Sequence, residues 1–397
     1  MSTIKSSSED LTLNADGSNE VKFQINAVEK ASISSAGAFT STTIDATKLT
    51  GEKRNFIIDG DFTQWPEGTG ATSDSGYTSA LFQSSHTTAG TITTERSTDV
   101  PTVAQSNHTS SYSKLSKCTG TDVSIAAGDT ISYRYYMTGS DFAHLHQQQV
   151  TLSFWHKTAA ANSGDTYAVT FMNGSFNRSY IHEYTSTSSW QQETVTLTLD
   201  TSGTWLFTEA DVGLRIIFTY MSGTTFQGTA DAWSGNLHYA TSNTSNFMDN
   251  TSNEVYLSQV SLTLGSTAPT FSSPPIATVK DQMDWYVQRW NFDQVTTEHG
   301  MIGAGHVYST NTVLFTKKFD KELRAVPAVT SSGSGTFEAY YGTSQTDFGA
   351  LTAGHVGKHG CRLTAVAVTG TPFTVGEAVD IRRDGTDVCW IMADSRH

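Results

Sequence analysis

Two histidines one residue apart, His144 and His146, form an H-x-H pair. On a β-strand that spacing turns both rings to one face, the arrangement a bound metal requires. No third ligand stands at a matching spacing, and a solvated polar face is the plainer reading of the same pair. Asp59 and Asp61 are the nearest approach to paired carboxylates. Glycoside hydrolysis needs two carboxyl groups at a set separation across a cleft, which two near neighbours in one strand do not supply. Both are therefore expected to serve structure. No G-x-S-x-G, H-E-x-x-H or phosphate-binding glycine loop occurs, so no residue is assigned a catalytic role and no cofactor is expected.

A third group points to binding. Residues 222–253 are rich in Gly, Ser, Thr and Asn, yet carry Phe226, Trp233, Tyr239 and Phe247. Long ordered loops are commonly functional. A pyranose ring offers an apolar face of C–H groups that stacks on an indole, while its hydroxyls need amide or carboxylate partners. Trp205, Phe226, Gln227, Asp231, Trp233, Asn236 and Tyr239 supply that mixture and are the candidate carbohydrate contacts. The alternative is that these aromatics pin the loop to the domain beneath it or to a neighbouring chain.

The elements that must hold these residues are strands. Of 397 residues only 16% are charged, and Ser, Thr, Gly and Asn separate short apolar runs. β-Branched Thr suits a half-buried pleated surface, and long helical stretches are nearly absent. The net charge of −14 argues against a nucleic-acid partner, since no basic run exceeds Arg382-Arg383. Three widely spaced cysteines, Cys118, Cys361 and Cys389, form no C-x-x-C. They read as buried thiols of a protein folded in a reducing cytoplasm, although Cys361 and Cys389 could meet across a sheet. The amino-terminal residues lack the apolar core of a secretory signal, and no window approaches a membrane span.

Along the chain, residues 1–53 are polar, with alternation at Leu11 and Leu13 and again at Val21, Phe23 and Ile25. Turn signals fall at Asn14-Ala15-Asp16-Gly17 and Ser34-Ser35-Ala36-Gly37. This is too little apolar surface for a monomeric core, so the segment is expected to order among identical copies or in a larger assembly, as a stem or anchor. Residues 54–270 carry longer strands, in which Val150, Leu152 and Phe154, then Val195, Leu197 and Leu199, then Val260, Leu262 and Leu264 alternate. They predict a two-sheet jelly-roll sandwich. Residues 271–300 hold a linker and an amphipathic helix, with Val279, Met283, Tyr286, Val287 and Trp290 on one stripe. That stripe suits either a trimer seam or the open face of a sandwich. Residues 301–397 return to β patterning and predict a small carboxy-terminal β domain. The fold class is all-β.

Three stretches carry a resemblance. The run from Val21 through Ile25-Asn-Ala-Val-Glu-Lys30 to Gly37 resembles the short β repeat of phage tail-fibre stems, with Ala27 at the usual glycine. Asn55-Phe-Ile-Ile-Asp-Gly-Asp-Phe62, Trp65, Val150-Thr-Leu-Ser-Phe-Trp-His-Lys157, Ser189-Trp-Gln-Gln192 and Glu254-Val-Tyr-Leu-Ser-Gln-Val-Ser-Leu262 resemble jelly-roll carbohydrate-binding modules of families 4 and 9. Trp155 and Trp190 match core positions of that family. The family implies a structural calcium held by an acid after the first Phe and an Asp in the last strand; those places hold Thr63 and Ser258 or Gln259 here, which leaves the ion open. Finally Gly265-Ser-Thr-Ala-Pro-Thr-Phe271, Trp285-Tyr-Val-Gln-Arg289, Phe319-Asp-Lys-Glu-Leu-Arg-Ala-Val-Pro327 and Ile391-Met-Ala-Asp394 resemble phage structural proteins. Some phage fibres hold iron through H-x-H pairs in a trimer, which the resemblance extends to His144 and His146.

The resemblance implies a homotrimeric fibre subunit on the surface of a bacteriophage particle, assembled in the host cytoplasm and joined to other virion proteins through residues 1–53. Its expected work is attachment to a host surface glycan without catalysis. Two other classes stay open: a capsid decoration or head-fibre protein with no receptor role, and a depolymerase of the host envelope.

Overall fold

The computed structural model describes residues 21–25, 28–34, 39–41, 54–73, 75–292, 300–384 and 388–397. The Leu11/Leu13 alternation, the turn at residues 14–17 and the turn residues 35–37 lie outside these. The chain divides into two units, residues 1–54 and residues 55–397. In the first, β1 (Val21–Ile25), β2 (Val28–Ile33) and β3 (Phe39–Ser41) form an antiparallel meander. Phe23 and Ile33 remain exposed on it.

The second unit is an all-β assembly led by a sandwich. Its seven-stranded sheet runs β14 (Trp233–Ser234), β11 (Ser179–Thr185), β10 (Thr166–Asn173), β13 (Val212–Ser222), β8 (Thr130–Thr138), β5 (Phe82–Thr87) and β4 (Gly76–Ser79). The five-stranded sheet runs β12 (Gln191–Thr198), β9 (Gln149–Thr158), β15 (Glu254–Leu264), β7 (Ser113–Gly120) and β6 (Thr91–Ser97). Between them lie Val150, Leu152, Phe154, Val195, Leu197, Leu214, Ile216, Phe218, Val260 and Leu262, the inward members of the alternating runs. Leu199 is buried just past the end of β12, whereas Leu264 faces out.

Every residue of β13 is buried. A strand covered on both faces needs a second layer, and residues 222–253 provide it. Trp155 and Trp190 also pack outside the main core, in a cluster with Leu115 and Tyr256 on the far face of the five-stranded sheet.

The segment 55–61 lies along β15. The Phe56 N–H donates to the Leu262 carbonyl and the Val260 N–H to that of Gly60, each at 2.9 Å. A Cβ on Gly60 would stand 1.9 Å from the Val260 oxygen, so only glycine fits there. The bulge in β15 between Ser258 and Ser261, with Gln259 at a left-handed φ of 49°, makes room for this addition.

The single-stripe expectation for residues 279–290 requires correction. The helix spans Ile276–Met283, and β16 (Val287–Asn291) follows as a strand. It pairs with β25 (Trp390–Asp394), which pairs in turn with β19 (Ala328–Ser331). Ladder bonds to a partner a hundred residues away outweigh a local helical period. Val279, Met283, Tyr286 and Val287 are buried within the protomer, the last three in the sandwich core, and Trp290 stacks on Phe319. None of the five is left as a free trimer seam.

The remaining sheet runs β21 (Ser344–Phe348), β20 (Phe337–Tyr341), β24 (Ala378–Arg383), β17 (Met301–Ser309), β18 (Thr312–Lys318), β23 (Gly360–Val366) and β22 (Thr352–Gly357). An antiparallel bridge between Phe348 and Ala367 brings β21 round toward β23 over a core of Val313, Phe315, Leu323, Phe337, Leu363 and Ile381. Cys118, Cys361 and Cys389 are buried and none is in a disulfide. Among the described residues no helix is long and apolar enough to cross a membrane.

Candidate functional site

The aromatic-rich loop leaves β13 at Gly223, where a Cβ would meet the Ala126 oxygen at 2.1 Å, and folds back over the outer face of the seven-stranded sheet. Two of its rings act as pins. Tyr239 is 7% exposed, packs with Met172 and Ile217, and accepts a 2.8 Å hydrogen bond from Thr170 at its carbonyl. Phe226 lies against it with ring centres 5.0 Å apart. Ala240 seals the layer against Ala168 and Ile181. The backbone of the loop also pairs with itself: Gly228 donates to the Ala240 carbonyl and Tyr239 to that of Phe226, both at 2.8 Å. These bonds satisfy amides that a buried loop would otherwise leave unpaired.

On this pinned base sits a groove of about 710 Å³. Gln227, Trp233 and Asn236, three of the seven sequence candidates, line it together with Ser234, His238 and Ser242. Trp233 is half-buried, and its indole N–H donates to the Thr198 carbonyl at 2.9 Å, which fixes the ring. Gln227 donates to the Ser222 carbonyl at 2.9 Å. Asn236 is exposed, and its backbone carbonyl accepts from Ser179. Gly228 admits the His238 imidazole, since a Cβ there would come within 2.3 Å of Nδ1. The groove thus sets one fixed apolar plane among amides, hydroxyls and an imidazole.

The other candidates stand around it. Trp205 is buried behind Trp233 and stacked on Phe142 at 4.9 Å. Asp231 is exposed at a left-handed φ of 56° and holds His182 Nδ1 at 2.8 Å. On the opposite side of that imidazole, Glu193 Oε1 lies 3.8 Å from Nε2. The interaction with Glu193 raises the His182 pKa; burial opposes it, and Asp231 adds to it. For Glu193 burial pushes upward, but His182 and the Thr194 N–H outweigh it, leaving the carboxyl below its ordinary value. Ser234 and His238, i and i+4 in the same loop, were not among the sequence candidates. Their polarity inside an aromatic-rich stretch was the available signal.

The H-x-H pair does not occupy a strand. His144 and His146 lie in helical turns after the short helix Gly139–Phe142, where residues i and i+2 do not share a face. His144 is exposed, while the His146 ring packs 5.0 Å from Phe207 and 5.8 Å from Trp205. Among the described residues neither belongs to a cluster of three metal-ligating side chains; Glu338, Asp347 and Asp384 form the one such group.

The carboxylates Asp59 and Asp61 are buried in the amino-terminal turn of the sandwich. Asp59 accepts from the Thr63 and Gln64 N–H groups, each at 2.8 Å, and from the Thr63 hydroxyl at 2.5 Å. Asp61 accepts from His108 Nε2 at 3.2 Å and Ser273 at 3.3 Å. None of Thr63, Ser258 and Gln259, at the places where a module of families 4 and 9 would hold calcium, carries a carboxylate, although Asp61 Oδ1 and Gln259 Oε1 are buried without a hydrogen-bond partner among the described residues. Thr63 is bound to Asp59, and the Gln259 amide donates to the hydroxyl oxygens of Ser106 and Ser110 at 3.0 and 2.9 Å. Calcium needs six to eight oxygen ligands, several of them carboxylates.

No protein-family model matches the chain. No curated protein matches it either. Among solved structures it is similar to the enzymatically active domain of tailspike protein 4 of bacteriophage CBA120, at 13% identity over 53% of this chain with a TM-score of 0.29. The chain spans 21% of that tailspike's length. It is also similar to the carbohydrate-binding module TmCBM61 in complex with β-1,4-galactotriose, at 10% identity over 53% of this chain and 99% of the module, TM-score 0.28. The family 11 module of Clostridium thermocellum in complex with a mixed-linked β-1,3-1,4 tetrasaccharide matches at 13% identity over 51% of this chain and 100% of the module, TM-score 0.29.

Proposed function

We propose that this chain is a glycan-binding fibre subunit of a bacteriophage particle, acting as a homotrimer that attaches the virion to a host surface polysaccharide. The observation that carries the binding half is the groove beside Trp233, where one fixed indole stands among Gln227, Ser234, Asn236 and His238. The virion half rests on the resemblance of the stem, linker and terminal motifs to phage fibres. The exposed Phe23 and Ile33 of the amino-terminal meander fit a surface covered by sister copies. In a trimer, a millimolar site worth about 4 kcal/mol gains about 10² to 10⁴ in avidity. Shallow grooves then suffice.

Attachment proceeds without hydrolysis. Among the described residues that line the groove there is no Asp or Glu, and glycosidases use two across the scissile bond. The purified chain is expected to sediment as a trimer and to be retained on host surface polysaccharide, with retention lost on Trp233→Ala and no reducing ends released. A monomer that ignores host cells defeats the attachment reading; release of reducing ends converts it to a depolymerase.

A further inference from the structure

The Trp233 groove is neutral inside and acidic around its rim. Among the described residues that line it, none is Asp, Glu, Lys or Arg. Its rim is different. Asp231, next to the lining residue Ala232, has a side chain 60% exposed. Glu183 stands behind the wall formed by residues 241–243: it accepts from Thr241 and, at 3.1 Å, from Asn243, on either side of the lining residue Ser242. Past the His182 ridge, a second cleft of about 410 Å³ is lined by both Glu183 and Glu193.

The nearby cations are already matched. Arg178 is paired with Asp200, and His182, when protonated, lies between Asp231 and Glu193. Arg134 is turned under the loop, over the ring of Tyr239 at 4.8 Å and bonded to Ser132. The field a ligand meets on approach is therefore negative, and a glycan chain long enough to leave the groove runs into it. Like-charge juxtaposition of this kind selects against wrong partners even where it adds nothing to the right one.

Resting on the glycan-binding reading of this groove, we propose that it takes saccharides that are uncharged or bear an ammonium group and excludes those bearing carboxylate, sulfate or phosphate. Asp231, Glu183 and Glu193 are the specificity-determining residues. They act at a distance through charge, whereas Trp233 makes the contact.

The test is an array of neutral, amino-bearing and acidic polysaccharides probed with the full chain at about 0.01 M and about 1 M salt, where the screening length falls from about 30 Å to about 3 Å. Binding abolished by Trp233→Ala is expected on neutral or amino-bearing members. Acidic analogues of the same backbones should bind about ten-fold more weakly at low salt, with the gap narrowing at high salt. The double variant Glu183→Gln/Glu193→Gln should raise acidic signals relative to neutral ones at low salt. Acidic and neutral members bound equally at low salt, or an unchanged ratio in the double variant, overturns the selectivity and leaves the groove standing. If Trp233→Ala alters no binding at all, the groove reading itself fails.

Discussion

Trp233 meets Trp205 edge to face, with ring centres 6.0 Å apart and planes at 79°. The contact joins two different jobs. Trp205 is 7% exposed, stacked on Phe142 and held by its indole N–H on the Ser202 carbonyl at 2.8 Å. Trp233 offers its remaining surface to the groove. Trp205→Ala should therefore cost about 3–5 kcal/mol of stability, as large core aromatics do. Trp233→Ala should lower glycan retention at least about ten-fold with a smaller loss of stability, because a single buried anchor dominates a shallow site. Thermal unfolding and affinity electrophoresis on both variants separate the two roles. Equal loss of stability in both would make Trp233 a packing residue.

His156 makes the fold sensitive to acid. It is 1% exposed on β9, its ring 4.8 Å from that of Tyr184, and neither ring nitrogen has a hydrogen-bond partner among the described residues. Burial pushes its pKa down from 6.5 to about 4, against a weaker upward pull from Glu193. A depressed folded pKa means that the unfolded chain binds more protons between those two values. The stability His156 contributes is whole above pH 6.5 and is lost as pH falls toward 4, by about 3 kcal/mol. Denaturant unfolding at pH 7 and pH 4.5 should show a smaller acid loss in His156→Leu than in the parent. The same slope in both would place the acid sensitivity elsewhere.

How much of this was legible depended on whether the partner of a strand lay nearby. The inward runs at Val150, Leu152 and Phe154 and at Val195 and Leu197 follow the pleat, and their burial is readable from period alone. The end of the helix was not readable, because β16 takes its hydrogen bonds from β25 near the other end of the chain. Nor was the facing of β7: Leu115 points to the outer cluster with Trp155, while Lys114 and Cys118 point between the sheets. A strand covered on both faces carries no alternation to betray which side is core. In the loop, composition singled out the segment that carries the groove, and only three dimensions sorted Trp233 from Tyr239. One ring borders the groove and the other lies beneath it.

Arg396 ties the carboxy-terminal strand to the sandwich. Its side chain is 1% exposed and bonds Glu67, Asp394 at 2.7 Å and the Ala80 carbonyl at 2.9 Å, with the guanidinium 4.2 Å over the ring of Tyr77. Removing one partner of a buried ionic group strands the others, so Arg396→Ala should cost about 3–5 kcal/mol. Arg396→Lys keeps the charge but loses the planar fork, and a substantial part of that loss should remain. Calorimetry should show the Arg396→Ala transition broadening or splitting as β16 and β25 loosen. An unshifted single transition would mean that the packing of Tyr286 and Val287 suffices without the ionic tie.

Lys114 is a liability in the middle of the sandwich. It is fully buried, its ammonium 4.5 Å from the centre of the Tyr133 ring and 4.8 Å from that of Tyr220, and Nζ has no hydrogen-bond partner among the described residues. Two ring faces recover part of the lost hydration. Burial still drives the pKa well below the ordinary lysine value. Between that lowered value and the ordinary one the unfolded chain binds more protons, and stability rises with pH until the free lysine also deprotonates. Lys114→Met keeps the aliphatic stem and removes the amine, so it should stabilise the protein by about 1–4 kcal/mol, the range seen when buried ionic groups give way to apolar ones of similar volume. The gain should shrink as pH rises toward the ordinary lysine value. A variant that melts lower than its parent at every pH would mean that the ammonium–ring contacts outweigh the desolvation of Lys114.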